Sequence, residues 1–218
     1  MPTSVDLRVY AVLDPTRCRG RPLGAMAAAA AAGGATLLQL RVKHGTTRDL
    51  IDAARETRAA LSGTAVPLII NDRVDVALAV DADGVHVGQE DMAPADVRRL
   101  IGPDRYLGIT VHKVEHAREG VGSADHAGLG PVFGSSSKDN TDPELGIVGL
   151  RRLIGEMDGV LPTCAISGID HCNAAEVIGA GADGVAVISD IFMAEDVEAA
   201  TRRLRRVVDS ALAQRTGR

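Results

Sequence analysis

Short apolar runs and amphipathic stretches take turns along this chain, and that alternation restricts the fold more than any other feature. Residues 7–13, 36–40, 67–70, 84–87, 106–109, 125–132, 163–166 and 184–188 read as strands, being apolar and bounded by turn residues. Residues 23–32, 47–61, 74–80, 94–101, 114–119, a stretch near 148–157, 171–178 and 197–212 carry helical spacing. Gly33-Gly34 stops the first of these helices, and Pro94 suits a first helical turn, where its missing donor costs nothing. Eight strands that each return through a helix require a parallel sheet, and eight can close without leaving edges. The expected fold is α/β, a single (β/α)8 TIM barrel spanning residues 1–218, with an open doubly wound sheet as the alternative. Ala82-Asp83-Gly84-Val85 returns as Ala182-Asp183-Gly184-Val185, a weak echo of a repeating plan.

Composition narrows what such a barrel does. With 45% hydrophobic and 24% charged residues in 218, the chain is able to bury one substantial core. Lys plus Arg number 24 against 29 for Asp plus Glu, so the net charge of -5 attracts no nucleic acid. The four aromatic residues offer no base-stacking platform. Cys18, Cys164 and Cys172 fit neither a disulfide framework nor a paired metal site. The apolar stretch 25–32 is too short for a bilayer, and no secretory signal pattern opens the sequence. A cytoplasmic location, with no membrane partner, is the expectation.

Polar residues gather where the strands end, the face on which barrels carry their chemistry. Asn71-Asp72-Arg73 follows the third strand and reads either as a helix cap or as a ligand site. Gln39, Arg41 and Lys43 alternate after the second strand, so an extended backbone points one amide and two cations to one side, suited to an anionic oxygen cluster. Asp72 and Asp91 close neighbouring strands, where two carboxylates suit a hard, partly hydrated cation such as magnesium. His86, alone on its strand, reads as a buried hydrogen-bonded residue rather than a ligand. Gly134-Ser135-Ser136-Ser137-Lys138 supplies backbone donors, hydroxyls and an ammonium, all fit for phosphate, within the longest nonperiodic stretch. It also matches the Ser-x-x-Lys pattern of β-lactamases, but neither companion motif follows. Ser167-Gly168 and Ile188-Ser189 fall where phosphate-binding barrels present backbone NH groups.

Taken together, Gln39-Leu40-Arg41-Val42-Lys43, Asn71-Asp72-Arg73-Val74-Asp75, Gly84-Val85-His86-Val87-Gly88-Gln89-Glu90-Asp91, Gly130-Pro131-Val132-Phe133 with Lys138, and Ala182-Asp183-Gly184-Val185 with Ile188-Ser189 resemble the thiamine phosphate synthase family. The resemblance implies a magnesium-dependent barrel enzyme that joins hydroxymethylpyrimidine diphosphate to thiazole phosphate, releasing thiamine phosphate and pyrophosphate, and it suggests a homodimer. By the same resemblance Arg41, Lys43, Asn71 and Lys138 hold the diphosphate, Asp72 and Asp91 bind Mg2+, and Gln39 orients the pyrimidine. Thr110 stands for a family serine and joins Arg41, Lys43 and Lys138 in the implied catalytic set. Ser135 and Ser137 replace threonines facing the thiazole phosphate, completed by Gly168, Ile188 and Ser189. Val42 departs from an often acidic position, Gly134 from a proline, and Ser167 from the first glycine of a Gly-Gly pair. A thiazole tautomerase-like enzyme and a noncatalytic phosphate-ligand-binding barrel are the rival readings, and the charged set argues against both.

Overall fold

Every residue of the first strand, β1 (Val9–Leu13), is buried, as expected of a parallel strand covered on both faces. A computed structural model describes residues 5–120, 122–134, 143–157 and 159–216. From β1 the chain runs through α1 (Leu23–Ala32), β2 (Leu37–Leu40), α2 (Thr47–Leu61), β3 (Leu68–Asn71), α3 (Val74–Ala79), β4 (Gly84–Val87) and α4 (Pro94–Ile101). It continues through β5 (Tyr106–Val111), α5 (Val114–Gly120), β6 (His126–Leu129), α6 (Gly146–Met157), β7 (Thr163–Ile166), α7 (Ala174–Gly179), β8 (Gly184–Val187), α8 (Ser189–Phe192) and α9 (Val197–Thr216). The eight strands pair in parallel in chain order, and β8 returns to β1 through Val9 opposite Val185. The fold is the expected (β/α)8 barrel, with one short helix, α8, beyond the alternating plan. No helix among the described residues is long and apolar enough to cross a membrane.

The period of two along each strand sorts side chains into two cores. Val9, Ala11, Leu13, Leu38 and Leu40 point outward into the layer shared with the helices. Tyr10, Leu37, Ile69 and Cys164 point inward, where they fill the lumen. The same alternation sends Gln39 inward, between Leu38 and Leu40, and so brings a polar group to the upper lumen. Glycines make the room. A Cβ on Gly108 would lie 2.4 Å from His126 Nε2 and 2.5 Å from His86 Nδ1, so β5 must be bare there for two imidazoles to fit.

The sequence echo has a structural cause. Asp83 Oδ2 accepts the backbone N–H of Leu68 at 2.7 Å, and Asp183 Oδ2 accepts that of Thr163 at 2.9 Å. In each case the aspartate before one strand satisfies a donor at the start of the strand before it. Asp125 does the same for Leu107 at 2.7 Å, a third instance outside the two repeated tetrapeptides. Arg98 and Arg215 pair with Asp125 and Asp183 in turn, at 2.6 Å and 3.1 Å.

Candidate active site at the ends of the strands

A cavity of about 430 Å³ opens over the C-terminal ends of the strands. Gln39, Arg41, Asn71, Thr110, Gly168, Ile188 and Ser189 line it, so seven of the residues singled out above surround one cavity. Its floor adds Tyr10 and His86. Gln39 Nε2 donates to Tyr10 Oη at 2.7 Å, and His86 Nε2 lies 3.0 Å from Thr110 Oγ1. His86 is buried and hydrogen-bonded as expected, yet it also forms part of the cavity floor. Tyr10 carried no signal in the sequence, because an inward tyrosine of a floor and one of a core are spelled alike.

Arg41 and Lys43 do not share one environment. Arg41 stays at the cavity wall, its Nη1 2.5 Å from Asp14 Oδ2 with both side chains mostly buried. Asp14 in turn accepts from the backbone N–H and hydroxyl of Thr16 through its other oxygen, so the end of β1 holds the guanidinium through one Nη1 contact. Asp14 was not among the expected site residues; the pairing is visible only once β1 and β2 are side by side. Lys43 lies beyond the strand, outside the cavity wall, and its Nζ reaches Asp72 Oδ2 at 2.5 Å. The Lys43 side chain is 43% exposed, too solvated for this pair to count much toward stability.

Asp72 and Asp91 meet across the ends of β3 and β4. Asp72 adopts φ +62°, a conformation costly for most side chains but accessible to aspartate, and its N–H bonds to His86 O at 2.8 Å. Asp91 Oδ2 accepts the Gly88 N–H at 2.7 Å. Burial of its carboxyl raises the Asp91 pKa above the ordinary value, and the neighbouring Asp72 carboxylate raises it further against the Gly88 bond. Two carboxylates crowded in this way fit a divalent cation that keeps much of its water. Neither Asn71 nor Asp72 caps α3, whose N-cap is Arg73 without a side-chain bond. Arg73 pairs with Asp75 at 2.6 Å and reaches Thr47, a loop brace rather than a ligand.

At the opposite wall, Ser167 and Gly168 both have left-handed backbones, with φ +74° and +70°. A Cβ on Gly168 would stand 2.5 Å from Gly134 O and 2.7 Å from Phe133 Cβ, so only glycine fits. Ser167 is the strained member of the pair. Ser167→Gly is expected to raise stability by about 1 kcal/mol, measured by urea unfolding, because it relieves a left-handed L-residue. Asp190, also on the wall, is held by His171 Nδ1 at 2.8 Å and Arg203 at 3.6 Å. Arg203 of α9 thus reaches the cavity wall through Asp190. Ser135, Ser137 and Lys138 lie outside the described residues.

A closed parallel barrel whose cavity Arg41 lines, with a paired-carboxylate corner and a glycine cradle after β7, has the build of a barrel enzyme with its site at the strand ends. The comparisons narrow that class. A family profile described as thiamine monophosphate synthase matches residues 9–191. A thiamine-phosphate synthase of Chloroflexus aurantiacus is 48% identical over 205 residues, covering 94% of each chain. One of Agrobacterium fabrum is 47% identical over 215 residues, covering 97% of this chain and 98% of that one. Among solved structures, a thiamine phosphate pyrophosphorylase from Pyrococcus furiosus superposes with a TM-score of 0.82 at 37% identity, over 95% of this chain and 98% of that one. The chain belongs to the thiamine monophosphate synthase family.

Proposed function

We propose that the protein is a thiamine phosphate synthase, a transferase that moves a pyrimidinylmethyl group from its diphosphate to a thiazole phosphate. The substrates of this reading are 4-amino-2-methyl-5-hydroxymethylpyrimidine diphosphate and 4-methyl-5-(2-phosphooxyethyl)thiazole, and the products are thiamine phosphate and pyrophosphate. The observation that carries it is the cluster of Lys43, Asp72 and Asp91 at the ends of β2, β3 and β4, beside a cavity of about 430 Å³ that Arg41 and Asn71 line.

The chemistry follows from where charge develops. The pyrimidine lies on the floor made by Tyr10, Gln39, His86 and Thr110, with its diphosphate toward Arg41 and Lys43. As the methylene–oxygen bond lengthens, the ring carries a carbocation-like centre, and negative charge grows on the departing diphosphate. Arg41 donates to that charge from a position fixed by Asp14, so little reorganisation accompanies the step. Lys43 exchanges its contact with Asp72 for the diphosphate oxygens. Magnesium bound by Asp72 and Asp91 would supply further neutralisation of the leaving group. Gly168 and the first turn of α8 hold the thiazole phosphate at the far wall, which keeps the thiazole nitrogen aimed at the methylene. No protein nucleophile takes part.

The test is one assay with purified protein, both phosphorylated heterocycles and magnesium. Thiamine phosphate and pyrophosphate are expected in equal amounts. Conversion of a thiazole phosphate alone, or binding without pyrophosphate release, would replace this reading with a tautomerase or a noncatalytic barrel.

A further inference from the structure

Outside the residues that the reaction above uses, one nucleophile stands in the open. Of the three cysteines, Cys18 and Cys164 are buried, and burial pushes their thiols up to about 11 and about 12, so neither supplies a thiolate near neutral pH. Cys172, in the turn between β7 and α7, is exposed. Its neighbours set it apart from an ordinary surface thiol.

Cys172 Sγ lies 3.5 Å from His171 Nε2, and His171 Nδ1 lies 2.8 Å from Asp190 Oδ1. The backbone N–H of His171 donates to the other oxygen of Asp190 at 3.1 Å, so the carboxylate grips the residue at two points. Asp190 is mostly buried, with Arg203 3.6 Å from the same Oδ1. A carboxylate that accepts from Nδ1 keeps the ring proton there and leaves the Nε2 lone pair for the thiol. Thiol, base and orienting carboxylate thus stand in the order that activates a nucleophile. A brace for the turn would need only the bond between His171 and Asp190, and the thiol is surplus to it.

The trio adjoins the cavity. Asp170 and Asp190 line its wall together with Gly168 and Ser189. The backbone N–H of Cys172 donates to Asp170 Oδ1 at 2.8 Å, so a group attached to Sγ starts two residues from that wall.

We propose that Cys172 is a modification site for small-molecule disulfides, its thiol activated by His171 and Asp190, and that the resulting mixed disulfide obstructs the adjacent cavity wall. The proton of Sγ passes to His171 Nε2, and the thiolate attacks one sulfur of the disulfide. A new S–S bond forms as the old one breaks, and the leaving thiolate departs with the electron pair and takes the proton back from the imidazolium. Cys172 is oxidised and the departing half is reduced, with no further reactant. The reactivity of the thiol stands on the protein alone, whereas its effect on catalysis rests on the reading of the wall at Gly168 and Ser189 as the thiazole phosphate subsite.

The probe is oxidised glutathione, added to the purified chain and followed by mass spectrometry. A single adduct per chain is expected, on Cys172, removed by dithiothreitol and absent from Cys172→Ser. At neutral pH it should form about tenfold faster than the adduct of N-acetylcysteine, the modest end of what a neighbouring base gives a thiol. His171→Gln, which keeps a polar side chain but no base, is expected to lose that advantage. A wild-type rate equal to that of N-acetylcysteine, or an unchanged rate in folded His171→Gln, overturns the activated thiol. In steady-state assays the adduct is expected to raise KM for the thiazole phosphate severalfold and to leave KM for the pyrimidine diphosphate unchanged, with no such rise in Cys172→Ser treated in the same way. Unchanged KM values in the fully modified protein overturn the obstruction. Absence of synthase activity before modification would instead remove the proposed function, with the adduct rates still deciding the thiol.

Discussion

Asp72→Asn is expected to slow turnover by an amount equivalent to about 2 to 4 kcal/mol in barrier, the scale for losing one electrostatic stabiliser of a transition state. Asparagine is the informative replacement. Asp72 sits at φ +62°, which asparagine tolerates and alanine resists, so the amide removes charge while sparing the backbone. It also releases Lys43 from its 2.5 Å contact, but that pair is solvent-screened, and unfolding free energy should move by less than about 1 kcal/mol. Loss of kcat at saturating magnesium with unfolding unchanged would place the defect in chemistry. Turnover near that of the wild type would sink the assignment of the Asp72–Asp91 corner. Lys138→Ala, a change in the stretch between Gly134 and Pro143, is expected to lower turnover on the same scale.

The largest effect on folding is expected at Gly184. A Cβ there would lie 1.7 Å from the backbone oxygen of Leu7 and 2.2 Å from its carbonyl carbon, beside the seam where β8 closes on β1. Neither atom is able to swing aside as a side chain does. Gly184→Ala is expected to cost about 3 kcal/mol or more, read as a lower urea midpoint or as failure to accumulate folded protein. Gly155→Ala provides the contrast. It lies inside α6 with nothing within 4 Å of a new Cβ, and it should raise stability by about 0.5 to 1 kcal/mol through helix propensity. If Gly184→Ala were neutral, the barrel beside Leu7 would be looser than its atoms indicate.

Much of this architecture is readable where its cause is local. The bounds of α2 match the periodicity because Thr46 and Asp49 form a reciprocal capping box at its start. Those of α4 follow from Pro94. Elements diverge from expectation where the cause lies elsewhere in the chain. β5 runs on to Val111 because Thr110 and Val111 pair with Gly128 and Leu129 of β6. α7 begins at Ala174 rather than near His171, because Asp170 and Asn173 exchange side-chain bonds with the backbone and turn the chain first. α8 has four residues, too few for a helical period to be visible. The same division applies to the site. Gln39, Arg41 and Asn71 announce themselves by polarity at strand ends, whereas Asp14 and Tyr10 acquire meaning only from what the barrel sets beside them.

The three aspartates that hold the strand starts, Asp83, Asp125 and Asp183, have a consequence for how this protein tolerates change. They lie at the end of the barrel remote from the cavity, and each bonds backbone at the start of the preceding strand. Registration of the sheet is thereby secured without any residue that touches a ligand. Loops at the cavity end are free to be exchanged, shortened or retuned while the staves stay in place. A chimaera that keeps these aspartates and imports the β6–α6 and β7–α7 loops of a relative should fold first and reveal its specificity afterwards.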